Sequence, residues 1–137
     1  MMRFVHKGVT AFIFLALIRC KKDPGLRASS SVPWKDCSEF GNKTDHITVC
    51  LDSLVEDSRC PTGVVCVWQG TAIAKFSVTV NNNQEPVTLS TGKLPGFPSD
   101  TILMGYKIEF INLLPYPEIN VNHDISEYRA EVKITKQ

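Results

Sequence analysis

Apolar and polar residues alternate along most of this chain with a period of two. From Thr71 to Val80, "TAIAKFSVTV" places Ala72, Ala74, Phe76, Val78 and Val80 on one face and Ile73, Lys75, Ser77 and Thr79 on the other. "YRAEVKITK" repeats the scheme, with Tyr128, Ala130, Val132 and Ile134 inward and Arg129, Glu131 and Lys133 outward. "GYKIEFINLL" alternates Tyr106, Ile108 and Phe110 with Lys107 and Glu109. Shorter apolar runs lie at Ile47–Leu51, Val64–Trp68 and Val87–Leu89. A period of two with one apolar face marks antiparallel strands covered by a core on one side only. "NNNQ" (Asn81–Gln84) separates two of these runs and reads as a hairpin turn, because asparagine tolerates positive φ. "TGKLPGFPSD" (Thr91–Asp100) carries two prolines and two glycines and reads as a loop. No segment holds a helical period, and no internal repeat is present. The pattern predicts an all-β chain, an antiparallel β-sandwich or small barrel of about six to seven strands.

The N-terminus breaks the pattern. Met1–Gly8 carries Arg3 and Lys7 and no acid, and Val9–Ile18 ("VTAFIFLALI") is apolar except for Thr10. At ~1.5 Å per residue this run falls well short of a ~30 Å hydrocarbon core, so it reads as an export signal rather than a membrane span. "LIRCKKD" then places Cys20 at its end. This resembles the lipobox of bacterial lipoproteins, with Leu17 three positions before the cysteine that is acylated and becomes N-terminal. "CKKD" is similar to the mature start of lipoproteins in some Gram-negative bacteria. Arg19 departs from the pattern, standing where a small residue is expected. The rival expectation is ordinary secretory cleavage near Ala28-Ser29-Ser30, which discards Cys20. The division expected is a signal peptide over 1–19, a lipid-anchored flexible linker over 20–35 and one β domain over 36–137. Pro24, Gly25, three serines and Pro33 give the linker its composition.

The formal net charge of the chain is only +1, with no basic stripe, which argues against nucleic acid as a partner. Of the five cysteines, Cys37, Cys50, Cys60 and Cys66 remain once Cys20 is set aside. An even number in an exported chain implies two disulfides.

Two of them lie in "DSRCPTGVVCVWQG" (Asp57–Gly70). Cys60-Pro61-Thr62-Gly63 has the proline and glycine of a type I turn. That turn lets a strand over Val64–Trp68 bring Cys66 back to Cys60, with Trp68 packed beside the bridge and Gly70 allowing a bend. Cys37–Cys50 follows by elimination, although Cys50 could instead reach Cys66 across a sheet. The motif is similar to one found in a group of small exported bacterial proteins, many of them lipoproteins by their N-termini. "GYKIEFINLLPYPE" resembles the aromatic- and proline-rich strand that follows it there, and together they cover about a quarter of the chain. Gln69 stands where a small residue is frequent. The resemblance implies export and anchoring and supplies no catalytic residue.

Other chemistry is thin. Five residues between Cys60 and Cys66 fit poorly with zinc, and no C-x-x-C occurs on a βαβ unit, so metal binding and thiol redox work are not expected. Asp57, Arg59 and Trp68 form either a ligand patch or, the reading preferred, a local brace in which Asp57 pairs with Arg59 or backbone amides while Trp68 joins the core. His46 and His123 are the histidines beyond the leader. His123 sits beside Asp124 in "NVNHD", where a copper or zinc site competes with a solvated loop histidine. "PYPE" (Pro115–Glu118) and "LPGFP" (Leu94–Pro98) either present a binding surface or tuck Tyr116 and Phe97 against the sheet rim. Asn42-Lys43-Thr44 is a sequon, read as coincidence in a bacterial context, and Asp52-Ser53-Leu54 and Asp100-Thr101-Ile102 are weak matches to a bacterial O-glycosylation acceptor.

The function expected is a non-enzymatic binding or assembly module of the cell envelope. Cys20 lipid would hold it on the outer membrane, at the periplasmic face or the cell surface, with an envelope protein or glycan as partner and no cofactor. The alternative is a secreted enzyme or inhibitor with a loop-built site near His123, Asp124 and Tyr116.

Overall fold

The computed structural model describes residues 27–41 and 44–137. The expected signal peptide, the acylation site Cys20, the first part of the linker and most of the Asn42 sequon lie outside the described residues. Among the described residues, eight strands form two four-stranded antiparallel sheets. In chain order they are β1 (Arg27–Pro33), β2 (Cys37–Gly41), β3 (His46–Asp57), β4 (Ala72–Val80), β5 (Asn83–Ser90), β6 (Asp100–Leu103), β7 (Tyr106–Leu114) and β8 (Arg129–Lys136). One sheet runs β1-β8-β7-β6 and the other β2-β3-β4-β5. They face each other as a sandwich, and the barrel alternative falls away.

The period-two faces meet in the middle. Ala72, Ala74, Phe76, Val78 and Val80 of β4 pack against Tyr106, Ile108 and Phe110 of β7 and Ala130, Val132 and Ile134 of β8, all buried. Phe76 and Phe110 join the two sheets edge to face, with ring centroids 5.1 Å apart. A register shift between Phe110 and Asn112 in β7 changes the parity, so that Leu113 turns inward and Ile111 outward. Asn81 and Asn82 take φ of 49° and 67° in the β4–β5 hairpin, as the asparagine run predicts.

The expected linker over 20–35 needs correction, because residues 27–33 are an edge strand rather than a tether. β1 pairs with β8 along its whole length, from Arg27 opposite Thr135 to Pro33 opposite Arg129. Its apolar signal is confined to Ala28 and Val32, four residues apart and hence on one face, with serines between them. Strand structure is therefore already present at Arg27–Pro33, ahead of the boundary expected at residue 36.

The two ends of the sandwich differ, and this difference positions everything that follows. At the entry pole lie the start of β1, the β2–β3 and β4–β5 turns, the β6–β7 turn and the end of β8. Asp45 ties the two sheets together there, accepting from Tyr106 Oη and from Lys136 Nζ. The Lys136 ammonium and then the Tyr106 hydroxyl hold the Asp45 carboxyl below its ordinary value of 3.8. Asp45 in turn pushes Tyr106 and Lys136 above their ordinary 10.0 and 10.5.

The pH dependence has a definite sign. A depressed carboxylate contributes stability that is present above its unfolded pKa and lost as pH falls through the folded one; the raised phenol and ammonium contribute below their unfolded values and lose that contribution as pH rises through the folded ones. Asp45→Asn is therefore expected to flatten both the acid and the alkaline limb of a Tm against pH profile. Thermal melts across the pH range check this, and unchanged limbs would count against the tie.

Candidate interaction surface

The opposite end, the loop pole, carries the cysteine motif between β3 and β4. Asp57 still pairs with Ala72 across the two strands, and beyond that rung the chain leaves the sheet. Ser58 N–H donates to Thr71 O (2.9 Å) and Cys60 N–H to Gln69 O (2.8 Å), so the neck of the loop is closed by backbone bonds. Gly70 has a φ of +66°, and a Cβ there would lie 1.8 Å from Ser58 O, so only glycine allows the neck to close this tightly. Cys60 and Cys66 are bridged, as expected, with Cα atoms 5.9 Å apart. In the chain-entropy description, closing a seven-residue ring contributes about 2 kcal/mol. The second disulfide joins Cys37 to Cys50, directly opposite each other on β2 and β3, which settles the connectivity left open by the sequence.

Arg59 anchors this loop to the rest of the molecule. Its side chain is nearly fully buried, at 6% exposure. Nε and Nη2 donate to the two carboxylate oxygens of Asp57, each at 2.7 Å, in the two-pronged geometry that suits guanidinium. Nη1 donates to the Leu113 carbonyl and to Asn112 Oδ1, and Nη2 also reaches the Pro115 carbonyl. Tyr116 lies under the guanidinium, its centroid 4.7 Å from Cζ. The β7 parity change is what brings Asn112 and the Leu113 carbonyl to this point. Asp57 and Arg59 are thus a brace, as preferred from the sequence, and the brace extends more than fifty residues along the chain.

The segment after β7 completes the pole. Thr62 bridges Glu118, its N–H donating to Pro117 O (2.9 Å) while Ile119 N–H donates back to Thr62 O. Gly63 sits against Ile119 Cγ2. The two loops form one platform.

Trp68 and the expected strand over Val64–Trp68 need correction. No strand forms there, and Trp68 is 66% exposed rather than packed in the core. The physical reason is the ring itself. Six peptide steps would extend to about 20 Å, yet their ends are held 5.9 Å apart, so the segment must curl away from the sheet. Val65 and Val67 are fully exposed, Val64 partly so, and Ile119 and Val121 on the neighbouring loop are half exposed. From Cys60 to Gly70 there is no charged side chain. The loop pole therefore presents a rigid, uncharged apolar tip.

The residues of the enzyme-like alternative are not brought together into one constellation. His46 lies at the entry pole, 3.6 Å from Glu39. His123 Nδ1 is 3.2 Å from Glu127 Oε2, and its Nε2 is buried without a hydrogen-bond partner. Glu127, four residues on, is a partner that the sequence reading missed although the spacing was visible. Asp124 turns away to cap the short 3-10 turn at Ile125–Glu127, and hydrogen bonds from Ser126 Oγ and N–H hold its carboxyl below the ordinary value. Tyr116 is engaged by Arg59. An open groove of about 760 Å³ runs past His123, Glu127 and Arg129 between Pro33 and Pro115. Among the described residues no group of three or more His, Cys, Asp or Glu side chains is placed to hold a metal ion.

The remaining motifs settle into structure. Leu94 and Phe97 exchange backbone hydrogen bonds in a tight turn, and Phe97 is half-buried. Asp52-Ser53-Leu54 lies within β3 and Asp100-Thr101-Ile102 within β6, paired in sheets rather than offered on loops. No helix among the described residues is long and apolar enough to cross a membrane. No family model, curated protein or solved structure matches the chain.

Proposed function

We propose that this protein is a non-enzymatic binding module of the cell envelope, tethered through an acylated Cys20 and working through its loop pole. The observation that carries the reading is the polarity of the sandwich. β1 begins at the entry pole, while the braced apolar tip stands at the other end. Seven strand residues at ~3.3 Å each separate the two poles by roughly 20 Å or more. A chain anchored a few residues before Arg27 would hold the tip away from the membrane that anchors it. Two disulfides support folding in an oxidising compartment. The strand at 27–33 also favours acylation over the rival cleavage near Ala28-Ser29-Ser30, because that cut would remove the first half of β1 and leave part of β8 unpaired.

The likeness of Asp57–Gly70 to a motif of exported bacterial proteins points the same way. Multiple acyl chains, at ~0.8 kcal/mol per buried CH₂, anchor a domain stably. Mass spectrometry of the mature protein is expected to find an acylated Cys20 at the N-terminus, with the protein sedimenting with outer membranes. Cys20→Ala is expected to leave it in the soluble fraction. An unmodified terminus near Ser31 would sink the anchor.

A further inference from the structure

The geometry points to the apolar tip as a docking surface whose occupant is another protein carrying an uncharged, apolar groove edged with backbone carbonyl groups. This inference rests on the binding-module reading and names the site and the partner chemistry for it. Val65 and Val67 project fully into solvent beside the exposed Trp68, on a loop fixed by a disulfide, a closed neck and the Arg59 brace. Exposed apolar side chains on a rigid frame bind with little loss of conformational freedom, and a tryptophan at such a position is the residue type that most often dominates an interface. Ile119 and Val121 extend the apolar surface from the adjoining loop.

Two observations select a protein groove. The tip from Cys60 to Gly70 holds no charge, so it has nothing to match the anionic headgroups of a bilayer surface or an acidic partner. Among the described residues, the backbone N–H groups of Val64, Val65 and Val67 have no acceptor within the domain. In hydrocarbon each such group costs several kcal/mol, whereas a protein groove edged with carbonyls satisfies them.

The test uses the full chain in the cells that make it, with a photo-crosslinking amino acid at Val67 and, separately, at the exposed Glu85 of β5. A discrete protein adduct is expected from Val67 and not from Glu85. After its identification and purification, the partner should bind the isolated protein with an affinity little changed by salt, since no charge is involved. Trp68→Ala should weaken binding about thirtyfold, and Val67→Asp at least as much, while Ile102→Asp at the far end of β6 leaves it unchanged. Equal unfolding midpoints for these variants would show that folding is not what changed. An adduct of lipid or glycan mass, an adduct with a second copy of this chain, or full affinity in both tip variants would each overturn the inference. Adducts from Glu85 alone would overturn the tip and leave a binding module; adducts from neither position would remove both.

Discussion

Replacing Arg59 with alanine is expected to lower the free energy of unfolding by about 3–5 kcal/mol, read from urea denaturation with both disulfides intact. The size of the effect comes from what the guanidinium leaves behind. Asp57 would remain as a carboxylate with 12% side-chain exposure and no counter-ion. The carbonyls of Leu113 and Pro115 would lose a charged donor each. A buried polar group left unpaired costs about 1–3 kcal/mol, and a charged one more. Lysine is not a substitute, because it cannot serve both Asp57 oxygens and two carbonyls from one planar head. The variant should also free the two loops of the pole from each other, so amide exchange at Thr62 and Ile119 should accelerate beyond the global change. A loss below about 1 kcal/mol would mean that water replaces the brace.

The second large effect is expected in the core. Phe76→Ala should cost about 3–5 kcal/mol. Phe76 is 1% exposed and its ring meets Phe110 across the gap between the sheets, so truncation removes both its own buried surface and the ring that Phe110 leans on. Its partners on the adjacent strands, Leu51 and Val87, sit in paired ladders that cannot shift without breaking their hydrogen bonds. Phe76→Leu should recover more than half of the loss. Denaturant midpoints with an unchanged m-value are the measurement, and a much smaller deficit would indicate that the two sheets close up around the void.

These contributions also show which parts of the molecule could be read from its residues. β4, β7 and β8 were plain because a strand buried on one face writes its orientation in every second side chain. β1 was not, since an edge strand filled with serine is held by its backbone pairing to β8, and that leaves little trace in hydropathy. β3 was read only to Leu51; register shifts after Leu51 and Leu54 carry it on to Asp57 through polar residues that disturb the alternation. The pairing of Asp57 with Arg59 was legible because the two are neighbours, whereas Leu113, Pro115 and Tyr116 became partners only through the meeting of two sheets. The tip departs from its sequence pattern for a different reason. "VVCVW" has the composition of a buried strand, and apolar content alone predicts burial there. The bridge spacing carried the opposite message, since a seven-residue ring is too small to lie flat in a sheet.

The separation of the described chain's entry from the braced loop has a mechanical meaning. A pull applied between Arg27 and the tip would run along the strands rather than across them. In that direction the rungs between β1 and β8 are loaded together in shear, and none can be peeled open first. Such a sandwich would transmit force from one end to the other as a stiff strut, stretching little before it fails all at once.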